Sequence, residues 1–219
     1  MPAAIHLLTF GTVGPILVEM GVDIEVLIVD WERVEAAPAS RRGDLLHEAA
    51  FGDESSGGLD EAGWIWPSAA DAGWYGRYAF RNTLGSYKPH FWAGERWEDV
   101  RDFADPGLRT ALDHFASLLF WQGLAYVAGE DAKDIPAQEC PWGVEQLLWC
   151  SPGDVSTISR SWAQAQPELD TLREPFAEHA AVPRGWICDF ESFAEFLVGW
   201  GEVVVEADRR GWGIVGLRC

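Results

Sequence analysis

The chain has 219 residues, 48% of them hydrophobic, with thirteen Trp and eleven Phe, which is enough for a sizeable core and excludes extensive disorder. Thirty-five acids against sixteen bases give a formal charge of -19. That balance lacks the clustered cations a nucleic acid or an anionic membrane requires, and suits a basic protein or a cationic ligand instead.

A single globular domain is expected at this length. The first 21 residues are apolar but are interrupted by Gly11, Gly14, Pro15 and Glu19, with no Lys or Arg before Arg33. They lack the positive leader of a signal peptide and are too broken to span a bilayer, so they read as a strand or loop lead-in. Val22–Asp30 (VDIEVLIVD) is the first clear strand: its first half has one polar face, and its second half is apolar on both, as in an interior strand. A short helical turn follows from Asp30 and stops near Pro38. Ser40 is placed to cap a helix from Arg41 to Phe51, with Leu45, Leu46 and Ala49 on one side. Gly52 to Glu61 reads as a flexible acidic loop.

Gly63 to Trp97 departs from the rest of the chain. It holds ten aromatics and five groups of cationic type (Arg77, Arg81, Lys88, His90 and Arg96), with no acid between Asp71 and Glu95. Trp74–Phe80 reads as a strand, Gly85 and Pro89 as brackets of a turn, and Glu95–Phe103 as a helix. Asp105-Pro106 then signals a helix start, and the stripe Leu108, Leu112, Phe115, Leu119 carries that helix to about Gly123. Ala128–Pro141 is loop-like and Val144–Cys150 a second core strand. Ser151-Pro152 opens a helix to about Ala165, and Pro167 another to about Ala180. Asp189 caps a last helix whose apolar stripe runs from Phe190 to Ala207, with Arg209 and Arg210 in its final turn and Gly211 at its end. Gly213–Leu217 closes the chain as a strand. The expected fold is α+β or α/β: a small mixed sheet packed by several helices.

The candidate ligand-binding residues are Trp74, Arg77, Arg81, Tyr87, Lys88, His90 and Trp92. Trp faces stack on planar or cationic groups, and Arg pairs with carboxylate or phosphate in bidentate fashion. Together they point to a small anionic or planar ligand. The alternative is that Trp and Arg simply pack and pair within an acidic protein.

Other constellations are weaker. Asp113-His114 and Glu178-His179 are sequence neighbours, and neighbours on a helix do not face each other. His47 is spaced to pair with Asp44. Glu202 and Glu206 lie four apart, as chance allows among 35 acids. Cys150 sits where a strand meets a helix N-terminus, an environment that lowers a thiol pKa, although a buried structural thiol is the stronger reading. Cys140, Cys150, Cys188 and Cys219 have no zinc or redox spacing and read as reduced, mostly buried thiols, with a Cys140–Cys150 disulfide as the alternative. No nucleophile elbow, phosphate loop, metal-ligand set or cofactor signature is present.

The segments VDWERVEAAP and FAEFLVGWGEVVVEADRRGWGIVGL resemble, in layout, small uncharacterised bacterial proteins assigned only to domains of unknown function. The resemblance implies no activity and no site residue. The first functional expectation is a non-enzymatic cytoplasmic binding protein whose acidic surface meets a basic protein partner, as an immunity or antitoxin protein does. The alternative is a small-molecule binding protein or enzyme using residues 63–97. A third is a structural subunit with exposed Trp at a self-interface. Neither nucleic acid nor membrane is expected as a partner.

Overall fold

The computed structural model of the protein describes residues 22–52, 63–68, 73–121, 146–183 and 185–218. Its sheet has five strands: β1 (Ile24–Val29), β2 (Trp64–Ile65), β3 (Tyr75–Tyr78), β4 (Gln146–Cys150) and β5 (Gly213–Arg218). Their order is β2-β3-β1-β5-β4, and every pairing is antiparallel. β1 is central, and this explains its two apolar faces. Ile24, Val26 and Ile28 look to one side and Leu27 and Val29 to the other, none more than 6% exposed.

One side of the sheet carries α1 (Trp31–Ala36) and α2 (Ala39–Phe51). There Val34, Leu46, Ala49 and Ala50 pack on Leu27, Val29, Val215 and Leu217. The other side carries α3 (Lys88–Val100), α4 (Pro106–Ser117), α5 (Pro152–Ala165), α6 (Arg173–His179) and α7 (Phe190–Arg210). Its core is aromatic: Trp97, Phe115, Trp162, Phe193 and Trp200 cluster with Val26, Ile28 and Ile214. The result is an α+β fold in three layers, with a thin layer of α1 and α2 on one side of the sheet and a thick, aromatic-rich one on the other.

Local signals set most of the helix ends. The Asp105 side chain accepts from Gly107 N at 2.8 Å. Ser151 with Asp154, and Asp189 with Ser192, form reciprocal capping boxes. Gly211 ends α7 in the left-handed region at φ 68°.

Some boundaries differ from expectation. Ser40 lies inside α2 and does not cap it; the extended backbone of Pro38 starts the helix one residue before Ser40. Pro89 brackets no turn. It sits in the first turn of α3, where its missing N–H costs no hydrogen bond, so the helix begins at Lys88 and not near Glu95. The segment from Pro167 is first a 3-10 helix, Gln166–Leu172, and becomes α-helical only at Arg173. α4 ends at Ser117, short of Gly123. The lead-in before Val22, residues 53–61 of the acidic loop, the 128–141 loop, Cys140 and Cys219 lie outside the described residues. Among the described residues no helix is long and apolar enough to cross a membrane.

Among the described residues, the buried charges of the thick layer are paired. Arg101 Nε and Nη2 donate to the two oxygens of Asp113 at 2.6 and 2.7 Å, and Trp97 Nε1 donates to the same carboxylate at 3.0 Å. That hydrogen bond to Asp113 is the largest influence raising the Arg101 pKa, and so keeps the guanidinium charged. Arg96, 1% exposed, donates to the carbonyls of Ile187 and Val182 and pairs with Asp99. Asp113 thus points inward while His114 is exposed, as neighbours on a helix must.

Candidate binding site

The aromatic–cationic stretch does not converge on one point; the sheet divides it. β3 alternates, so Arg77 and Tyr78 leave opposite faces. Arg77 turns toward α2, where Nη1 donates to Ala50 O at 2.8 Å and Nε lies 3.8 Å from Glu25. Burial pushes the Glu25 carboxyl up, against the pull of Arg77. Trp74 is buried on the same side, with the Arg33 guanidinium 5.5 Å from its ring centre.

Tyr87, His90 and Trp92 belong to the other side. His90 is fully buried, its ring stacked on Tyr87 and edge-on to Phe80, Phe196 and Trp200. Among the described residues neither imidazole nitrogen makes a hydrogen bond of good geometry. Burial lowers its pKa from 6.5 to about 3, against only a weaker upward pull from the Tyr87 backbone, and burial likewise raises that of Tyr87. His90 is therefore a neutral core ring. Trp92 is half-buried and covers Gly185, where a Cβ would meet its ring at 2.2 Å. Lys88 is exposed at the start of α3.

Arg81 alone of the seven lines the cavity that this part of the molecule does possess. The cavity lies between the turn after β3 and the outer side of α7, and measures about 90 Å³. Tyr78, Phe80, Phe196 and Trp186 give it aromatic walls; Asn82, Glu195 and Glu202 give it polar groups. The Tyr78 hydroxyl donates to Glu202 Oε2 at 2.6 Å, and Asn82 Nδ2 lies 3.5 Å from Glu195 Oε2. The turn above is pinned to the fold: Thr83 Oγ1 donates to Phe80 O, Ile24 N to Gly85 O, and Tyr87 N to Val22 O. It presents Leu84 to solvent at 89% exposure, in the left-handed region at φ 53°.

Sequence reasoning missed Glu195 and Glu202 as partners in this cavity. Glu202 was grouped with Glu206, yet Glu206 turns to Arg209 and Arg210. A signal was present: Gly199 and Gly201 interrupt a strong helix, which costs about 1 kcal/mol each relative to Ala. Such a pair marks close approach. A Cβ on Gly199 would meet Phe80 at 3.2 Å, and one on Gly201 would meet Trp162 at 2.1 Å.

The remaining candidates resolve individually. Cys150 is a buried free thiol whose pKa is raised, first by burial and then by Asp154, so the helix N-terminus does not activate it. Cys188 is free and exposed, unlike the buried thiol expected there. Asp44 pairs with Arg41 at 3.4 Å, while the His47 ring packs on Phe51. His179 Nε2 lies 3.6 Å from Glu178, and its ring stacks on Phe103. Among the described residues, no group of three or more His, Cys, Asp or Glu is arranged to hold a metal ion.

No protein-family model, curated protein or solved structure matches this chain.

Proposed function

We propose that the protein is a cytoplasmic binding protein whose acidic surface engages a basic protein partner, in the manner of an immunity or antitoxin protein. The observation that carries this reading is the segregation of charge on the α3–α6 face. In α3 and the turn after it, Arg96 and Arg101 are buried, while Glu95, Glu98 and Asp102 are exposed. α6 packs on α3, and Phe103 stacks on His179 across the seam. From Gln166 to His179 the exposed acids are Glu168, Asp170, Glu174 and Glu178, against Arg173 alone, which pairs with Asp170 and Glu191. On this face Arg96 and Arg101 are turned inward and Arg173 is paired, so apart from Lys88 at the start of α3 the exposed charges of these segments are acidic. Such a field steers a basic partner and favours fast, salt-sensitive association.

The small-molecule alternative draws less support. Ligand sites for drug-sized molecules occupy roughly 300–1,000 Å³, against about 90 Å³ for the cavity that residues 63–97 help to line. The test is a triple reversal, Glu168→Lys, Glu174→Lys and Glu178→Lys, titrated with a mixed Arg/Lys dodecapeptide at low salt. The reading expects at least a ten-fold loss of affinity with the fold intact by circular dichroism; equal affinity overturns it.

A further inference from the structure

Among the described residues, the cavity beside α7 combines carboxylates with aromatic walls, a chemistry that points to an occupant. Among the described residues, two carboxylates, Glu195 and Glu202, line it against one guanidinium, Arg81. Glu202 is half-buried and oriented by the Tyr78 hydroxyl. A carboxylate offers about four lone-pair directions, so one donated hydrogen bond leaves acceptor capacity toward the cavity. The walls are the faces and edges of Tyr78, Phe80, Phe196 and Trp186. Aromatic faces attract a cation within about 6 Å, and a planar, weakly hydrated guanidinium both stacks on them and pairs with carboxylate. An ammonium is more strongly hydrated and loses more on entering such walls.

Size and surroundings narrow the occupant further. The volume, about 90 Å³, is well below the roughly 300–1,000 Å³ of a site for a drug-sized molecule. It suits the end of one side chain and not a free metabolite of ordinary size. Trp186 is exposed at the wall, beside the polar groups of Asn82 and Glu195. A charged pocket walled by aromatic side chains, one of them an exposed Trp, is the arrangement by which a protein partner buries an arginine anchor. The site also adjoins the acidic face. Ile187 lines the cavity, and its carbonyl accepts from Arg96 on α3.

We propose that this cavity receives an arginine side chain of the basic partner, its guanidinium paired with Glu202 and set against the aromatic wall, with Glu195 at the rim. The identity of the occupant as part of a partner rests on the proposed function; the preference of the cavity for guanidinium does not. The test uses the full chain, 15N-labelled, titrated with N-acetyl-arginine amide and, separately, with N-acetyl-lysine amide. Shifts of the Asn82 side-chain amide and the Trp186 indole are followed. The arginine probe is expected to saturate both signals, with the lysine probe weaker. A Glu195→Gln, Glu202→Gln variant is expected to lose roughly ten-fold in affinity, because Gln keeps the shape and removes the charge-assisted bond. A control, Glu168→Gln, Glu174→Gln, Glu178→Gln, is expected to bind the probe unchanged. Equal binding in the cavity variant, or no saturable shift in the wild type, overturns the inference.

The Arg/Lys dodecapeptide separates the two readings. If it binds the wild type and the cavity variant equally, the acidic-surface reading stands and the arginine pocket falls. If it fails to bind while the arginine probe saturates, the pocket stands and the surface reading falls.

Discussion

Two buried polar groups within the same aromatic layer are handled in opposite ways. Around Asp113, both charges are kept and every partner is supplied: Arg101 in bidentate contact, with Trp97 donating as well. Around His90 the charge is abandoned, and among the described residues neither the imidazole nitrogens nor Trp200 Nε1 makes a hydrogen bond of good geometry. The difference follows from chemistry. Arginine cannot give up its proton in a protein, so its burial demands a carboxylate. Histidine can, at the cost of a depressed pKa. The first solution fixes a geometry; the second only fills space.

The sharpest way to break this comparison is to remove the carboxylate. Asp113→Ala leaves the Arg101 charge buried and unpaired, and is expected to cost about 3–5 kcal/mol, read as a shifted urea midpoint. Acid should expose the other solution. The folded pKa of His90 is about 3 against 6.5 unfolded. The unfolded chain therefore takes up this proton first as pH falls. Stability from the neutral ring is complete above about pH 6.5 and is lost between there and about pH 3, at roughly 1.4 kcal/mol per pH unit. His90→Leu should be less sensitive to acid than the wild type by about 2–3 kcal/mol between pH 6 and 4. Parallel stability curves for the two proteins would refute the buried neutral ring.

The two tryptophans refine the contrast. Trp97→Phe strips a hydrogen bond from a buried carboxylate, whereas Trp200→Phe removes a donor that makes no such bond among the described residues. The first should cost roughly 1–3 kcal/mol more than the second, by thermal or chemical melts. At the surface the effect should nearly vanish: Glu206→Gln, which disturbs the Arg209 and Arg210 pairs, should change stability by less than about 1 kcal/mol.

Much of this architecture was legible in the sequence wherever a local signal decided it. The double-faced apolar half of β1 announced a central strand. Asp105, Ser151, Asp189 and Gly211 marked helix ends because capping is a local hydrogen bond or a local backbone angle. Pro89 misled because the same residue closes turns and opens helices, and only the neighbouring turn distinguishes them. The aromatic–cationic stretch misled for a different reason. Its residues are close in sequence, but strand alternation sends Arg77 and Tyr78 to opposite faces of the sheet. The part of it that lines the cavity, around Tyr78, Phe80 and Arg81, lies beside groups from over a hundred positions away, Glu195 and Glu202. Such meetings depend on how α7 lies against β3, and a helix stripe does not encode that.

The central claim is that a surface left acidic by inward-turned arginines binds a basic partner. It is tested most directly by titrating the wild-type protein with the Arg/Lys dodecapeptide at about 0.05 M and about 1 M salt, where screening shortens the reach of exposed charges severalfold. The account predicts saturable binding at low salt that weakens at least ten-fold at high salt. Absence of binding at low salt, or an affinity indifferent to salt, would contradict it.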